Sequence, residues 1–234
     1  MDVVYLIKNS QYNEELIYSL RSLVNLPHDR VFLVGGCPCE IDGTKVQAVR
    51  LNQTGDKFKN TQNNLKFACE YVGISEDFIL MNDDFFILKP IKDPATELNL
   101  CRGTILSVLT ELRKRHGQDS PYMASMAQTM VYLQDLGYKE PLSYELHTPM
   151  VINKNKFLSV FSAPYIKSIR PGHQRSLYGN MFLKCSQKIG DVKFYRDFVF
   201  NPGSDKFLST EDNSWPIVKP KLEKLFPSKS EYEI

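Results

Sequence analysis

No stretch of this 234-residue sequence approaches the roughly 18–20 consecutive apolar residues of a membrane span. The opening residues, MDVVYLIKNSQYNEEL, lack both the basic start and the long apolar core of a secretory signal. An excess of one charge is missing too. The 29 Lys and Arg against 27 Asp and Glu leave a net charge of +2, too little for bulk electrostatics to draw the chain to nucleic acid or membrane. The five cysteines, Cys37, Cys39, Cys69, Cys101 and Cys185, are odd in number and irregular in spacing. Cys37-Pro-Cys39 has no second pair at zinc-finger spacing to complete four ligands. Internal repeats and low-complexity tracts are absent. Together these absences predict a soluble, cytoplasmic protein with reduced thiols.

What is present is ordinary globular composition, 42% hydrophobic and 24% charged residues, which predicts a substantial core. Residues 3–8 (VVYLIK), 31–35 (VFLVG), 45–51 (KVQAVRL) and 78–81 (FILM) read as strands. Residues 14–26 and 60–72 carry apolar side chains at helical spacing, and Gly73 is a plausible stop for the second helix. Strand, helix, strand, strand, helix, strand is the α/β pattern of an open, mostly parallel sheet flanked by helices. Residues 94–116 and 122–136 then read as helices, with the basic cluster Arg113-Lys114-Arg115-His116 between them. Short apolar runs return at 149–152, 192–195 and 198–200. We expect a single domain over 1–234, with a helical insertion over about 93–145 and a loosely packed tail over about 216–234.

One stretch departs from simple burial. In FILMNDDFFILKP, residues 78–90, two adjacent carboxylates interrupt an apolar run, with no Lys or Arg nearby before Lys89. Burying a carboxylate costs several kcal/mol unless it is paired or binds a metal. Asn82-Asp83-Asp84 also lies at the carboxyl end of a strand, where open α/β sheets bind ligands. Either the aspartates cap a turn, or they offer oxygen ligands to a hard divalent cation.

Other blocks join this one. ELIYSLRSL (15–23), SEDFILMNDDF (75–85), LHTP (146–149) and Arg175-Ser176 in HQRSLYGN resemble, in order, the blocks of the Stealth family of sugar-phosphate transferases. FLSTEDN (207–213) is similar to that family's late acidic segment. The family's opening Trp-Val-Asp-Gly-like block is not matched; the chain has LIKNSQYN there.

The resemblance implies a GT-A-like, Rossmann-like fold and a nucleotide-sugar donor. It implies Mn²⁺ or Mg²⁺ on Asp84 and Asp83, with Asp212 or Glu211 as a third ligand; the alternative for the last two is a solvated loop. His147 is the candidate general base, since imidazole titrates near neutrality, and Arg175 a candidate phosphate clamp. Arg21 would hold a phosphate or an acidic side chain, or else cover apolar surface with its stem. Asn82 would hydrogen-bond a ribose or base. Asn9, Lys57, Lys59 and Asn63 sit where such a fold meets the nucleotide. The acceptor would be a glycan hydroxyl or, alternatively, a hydroxylated base in DNA, with the Arg113–His116 cluster (residues 113–116) touching phosphates. A reading of another class is a nucleotide- or glycan-binding module without catalysis.

Overall fold

The computed structural model describes residues 1–162, 173–195 and 206–234. In chain order the elements are β1 (Asp2–Leu6), α1 (Glu14–Ser22), β2 (Val31–Gly35), β3 (Gln47–Arg50), α2 (Lys57–Glu70), β4 (Asp77–Asn82) and β5 (Phe85–Ile87). Next come α3 (Pro94–Glu97), β6 (Leu100–Cys101), β7 (Gly103–Thr104), α4 (Ile105–His116), α5 (Pro121–Asp135) and β8 (Leu142–Ser143). The last third carries β9 (Met150–Asn153), α6 (Lys154–Ser162), α7 (Gln174–Phe182), β10 (Gln187–Lys188), β11 (Phe207–Ser209) and α8 (Trp215–Leu225).

The central sheet has the order β3-β2-β1-β4-β9. Its first four strands are parallel, and β9 closes the edge antiparallel to β4. β1, β2 and most of β4 are near-continuous apolar runs because helices cover both faces. The two-residue alternation of a strand sorts their side chains. Val3, Tyr5, Val31, Leu33, Ile79 and Met81 pack with α1 and α8 on one face. Val4, Leu6, Phe32, Val34, Phe78 and Leu80 pack with α2, α4 and α5 on the other. The mixed, mainly parallel α/β architecture read from the sequence is therefore the observed one.

The end of the sheet that carries the carboxyl termini is tightly built. Gly35 ends β2 at φ +123°, and a Cβ there would lie 2.0 Å from the Ile7 carbonyl oxygen, so only glycine fits. Asn64 of α2 is buried beside it and donates to the carbonyls of Val34 and Ile7 at 3.1 and 3.3 Å.

Several boundaries differ from those expected. α1 ends at Ser22, and its last predicted turn is the 3₁₀ segment Leu23–Asn25. α2 starts earlier than expected, at Lys57, because Asp56 caps it and accepts from the Lys59 amide at 2.9 Å. Its end needs no glycine: Tyr71 terminates it, and the Lys154 ammonium binds the carbonyls of Tyr71 and Ile74. The single helix expected over 94–116 is broken. Gly103, at φ +128°, lets the chain turn into β7 before Thr104 caps α4. Phe85-Phe86-Ile87 is buried and forms a strand paired antiparallel with β11. Run 198–200 lies outside the described residues.

The tail is not loose. Val218 and Leu222 of α8 are fully buried, and Phe226 and Tyr232 are largely so. The polar composition that suggested a solvated tail hides a helix with one apolar stripe.

Candidate active site

A cavity of about 580 Å³ opens beyond the carboxyl ends of β1 and β4, the position at which α/β sheets bind ligands. Leu6, Leu80, Asn82 and Asp84 form its strand-end wall, and the start of α2 contributes Lys57 and Lys59. His147 comes from the loop before β9, Arg175 from the first turn of α7, and Lys193 from the segment after β10. Residues far apart in the chain thus meet in one concavity.

The adjacent aspartates part company at the strand end. Asp84 lines the cavity. Its Oδ2 accepts from the Ser209 hydroxyl at 2.8 Å and from the Lys193 ammonium at 3.2 Å. Asp83 accepts from Asn13 Nδ2 at 2.6 Å. Asn13 is the N-cap of α1, its Oδ1 accepting from the Leu16 amide at 3.1 Å. Asp83 therefore joins the sheet to the start of a helix, where a negative charge is favoured. Burial, and then the charge of Asp84, push the Asp83 carboxyl up to about 6. Glu15, in the first turn of α1, accepts from Thr210 at 2.5 Å. Burial pushes its carboxyl up to about 7, with the charges of Asp84, Asp83 and Asp212 adding to the rise.

The expected metal cradle of Asp84, Asp83 and Asp212 is not assembled. Only Asp84 lines the cavity, and it already holds a cationic side chain. Asp83 is bonded to Asn13, and Asp212 is exposed. Among the described residues no group of three or more His, Cys, Asp or Glu side chains is placed to hold a metal ion. Among the described residues the donor set therefore does not fit a resident divalent cation, which needs several oxygen ligands. The late acidic block does reach Asp84, but through Ser209 and the Thr210 amide, which donates to the Asp84 carbonyl at 3.3 Å.

His147 stands on the cavity wall, with its ring edge-on to Phe85 at 6.4 Å between centroids. Its Nδ1 donates to Asp191 Oδ1 at 2.8 Å. Asp191 also receives Arg102 at 3.5 Å, and Arg102 in turn binds Glu111 at 2.7 Å. Burial raises the Asp191 carboxyl, but the His147 bond and the charges of His147 and Arg102 outweigh it and hold the group below its ordinary value.

Arg175 donates through Nη2 to the Thr148 carbonyl at 2.7 Å, next to His147 in sequence. Its Nε is buried without a partner. Burial lowers its pKa against the opposing charges of Glu145, Tyr122 and Asp191. Glu145 itself accepts from the Ser176 amide in the first turn of α7 at 3.0 Å. His173, buried nearby, bonds the Ser125 hydroxyl at 2.9 Å.

Three expected donor contacts fall elsewhere. Arg21 lies near the other end of α1, about 12 Å along the helix from its N-cap at 1.5 Å per residue, and its guanidinium grips Glu233 at 2.6 and 2.9 Å. Asn63 is exposed on α2, whereas its neighbour Asn64 is buried. Asn9 is exposed just past β1 and bonds Gln53 through its amide at 2.8 Å. Neither asparagine lines the cavity.

Sequence reasoning missed Asp191, Lys193 and Ser209. A signal for the first two exists in DVKF, where Asp191 and Lys193 alternate with Val192 and Phe194. Phe194 is buried in the core on the α1 face with Val192 packed against it, all four residues line the 940 Å³ hollow, and Lys193 also reaches the 580 Å³ cavity.

No protein-family model matches the chain, and no curated protein matches it. The fold is nevertheless shared with a solved structure, galactosyltransferase LgtC in complex with donor and acceptor sugar analogs. That likeness covers 98% of this chain and 96% of the other, with a TM-score of 0.51 and 11% identity. A structure of an active-site mutant of LgtC aligns over 76% of this chain and 69% of its own, with a TM-score of 0.43 and 11% identity, and carries no argument. The chain thus shares the mixed, mainly parallel α/β fold of that galactosyltransferase. Among the described residues no helix is long and apolar enough to cross a membrane.

Proposed function

We propose that this protein is a glycosyltransferase that moves a sugar or sugar phosphate from a nucleotide-sugar donor to an acceptor hydroxyl of a glycan. The observation that carries the proposal is the convergence of Asp84, His147 and Arg175 on one cavity at the strand ends. The shared fold supports the reaction class, and the Stealth-like blocks support sugar-phosphate transfer within it.

The chemistry needs a base for the acceptor proton and positive charge for the departing phosphate. His147 supplies the base. With Nδ1 bonded to Asp191, the imidazole presents Nε2 to the acceptor oxygen. Arg175 offers an unpartnered, buried Nε and sits where bidentate phosphate binding is suited to a guanidinium. Lys57 and Asn82 line the same cavity; in this reading Lys57 receives phosphate and Asn82 a ribose or base. Among the described residues the donor set does not fit the divalent cation expected from the sequence, and no step here passes through a metal.

A glycan acceptor is preferred to DNA. The basic cluster ends α4, and two of its members are spent on ion pairs, Arg113 with Asp119 and Arg115 with Glu111. A non-catalytic module would retain donor binding yet have no use for the His147–Asp191 pair.

The test is slow donor hydrolysis, with no acceptor, across a panel of nucleotide sugars, with and without Mn²⁺. Turnover of one donor, lost in His147→Ala, is expected. A nucleoside diphosphate product shows sugar transfer, and a monophosphate shows sugar-phosphate transfer. Binding without turnover under every condition would move the protein to the binding-module class.

A further inference from the structure

We propose that Lys193 is a catalytic residue and does the work that a divalent cation would otherwise do at the end of β4. The inference rests on the transferase reading above and adds to Arg175 a second positive charge, fixed at the strand end.

The geometry has three parts. Asp84, the acidic residue that reaches the cavity from the strand end, has the Lys193 ammonium on Oδ2 at 3.2 Å, with both side chains mostly buried at 18% and 16% exposure. Ser209 donates to the same oxygen at 2.8 Å. The position is fixed by the backbone as well: Lys193 forms an isolated bridge with Ser209, and the Phe194 amide donates to the Ser209 carbonyl at 2.7 Å. With its backbone bridged, Phe194 buried in the core and Val192 packed against it, the Lys193 backbone has little freedom of placement. This is how a side chain is preorganised for developing charge.

Position matters as much as rigidity. Lys193 lines the 580 Å³ cavity together with Arg175 and also lines the neighbouring 940 Å³ hollow. An ammonium is a compact point charge with three donors. Asp84, itself held by the Ser209 hydroxyl, engages it from one side, and a phosphate oxygen in the cavity would take another of its protons.

The step balances without a metal. The acceptor oxygen forms a bond to the sugar C1, or to the sugar-bearing phosphorus, and its proton passes to His147 Nε2. The bond from that centre to the bridging phosphate oxygen breaks. Its electron pair stays on the nucleoside phosphate, where Lys193 and Arg175 meet the new negative charge. The only reactants are the nucleotide sugar and the acceptor.

The experiment is titration calorimetry of the full chain with UDP, GDP, ADP and CDP in EDTA, repeated with Mn²⁺. Mn²⁺ alone is also titrated into wild type, Asp84→Asn and Lys193→Met. We expect one diphosphate to bind in EDTA, Lys193→Met to weaken it by about tenfold or more, and Lys193→Arg to restore most of it. Mn²⁺ alone should show no binding that depends on Asp84. Nucleotide binding that requires Mn²⁺, with Mn²⁺ binding lost in Asp84→Asn and unchanged in Lys193→Met, would overturn the role of Lys193 and leave the transferase standing. Failure of every diphosphate with and without Mn²⁺ would bring down the transferase reading and this inference with it.

Discussion

Asp83 and Asp84 are neighbours in the chain and serve opposite sides of the strand end. Asp84 lines the cavity with Ser209 and Lys193 on its carboxylate, and Asp83 turns to the Asn13 cap of α1. The pair is thus one cavity-lining residue and one structural residue. Their asparagine variants should separate accordingly. Asp84→Asn removes the charge that holds Lys193 and should lower kcat/KM by about 10²-fold, with little change in Tm. Asp83→Asn keeps an acceptor for Asn13 and removes a carboxylate whose ionisation burial opposes. It should leave kcat/KM within about threefold and stability at pH 8 unchanged or higher by about 1 kcal/mol. Steady-state kinetics and urea unfolding of both variants check this.

Asp191 should act through His147. Asn at this position still accepts the Nδ1 proton but no longer supports a positive imidazole, whereas Ala does neither. Asp191→Asn should therefore lose about tenfold in kcat and Asp191→Ala about 10²-fold, with KM little changed in both. A merely structural role would move Tm and KM instead. The Nδ1 proton of His147 should be visible by NMR in wild type and Asp191→Asn and absent in Asp191→Ala.

The sheet was legible because each of its parallel strands except β3 is an apolar run of about five residues between polar punctuation. The end of β4 stood out because two adjacent carboxylates follow the apolar run Phe-Ile-Leu-Met, a pattern that asks either for a turn or for a ligand. Which of the two enters the cavity was not legible. That depends on a turn whose Asp83 partner, Asn13, lies 70 residues away. Lys193 and Ser209 were hidden for the same reason: they meet Asp84 across 109 and 125 residues, and neither sits in a conspicuous motif. Arg21 misled because a lone cation among apolar helical residues looks the same whether its partner is a phosphate or Glu233.

Glu15 gives the protein a pH signature. Its folded carboxyl is pushed up to about 7 from 4.5, so the folded state binds its proton more tightly than the unfolded chain does. Between those values the folded state carries more protons, and stability falls as pH rises. The loss is complete above the folded value. Glu15→Gln should flatten the pH 4.5–7 part of the stability curve. It should stabilise the protein at pH 8 by about 1 kcal/mol, after allowance for the solvent reaching this group. Urea midpoints across pH 4–8 for wild type and variant measure it. An identical slope in both would mean that other groups set it.

Arg21 and Glu233 tie the carboxyl-terminal segment to α1. Two nitrogens of the guanidinium meet both oxygens of Glu233, a third bond goes to the Phe226 carbonyl at 3.2 Å, and the Glu233 side chain is only 5% exposed. Ser230 adds its amide and hydroxyl to Glu233 at 2.7 and 2.9 Å. Removing Arg21 leaves a buried carboxylate without its cation, so Arg21→Ala should cost about 3 kcal/mol. The cost comes from the stranded charge rather than from the bond alone. Arg21→Met with Glu233→Gln should accordingly be more stable than Arg21→Ala, even though both lose the ion pair. Because Arg21 lies near the end of α1 opposite the cavity, the folded fraction of every variant should keep its kcat/KM. Were Arg21 instead a donor contact, Arg21→Ala would raise KM for the nucleotide sugar in protein that is still fully folded.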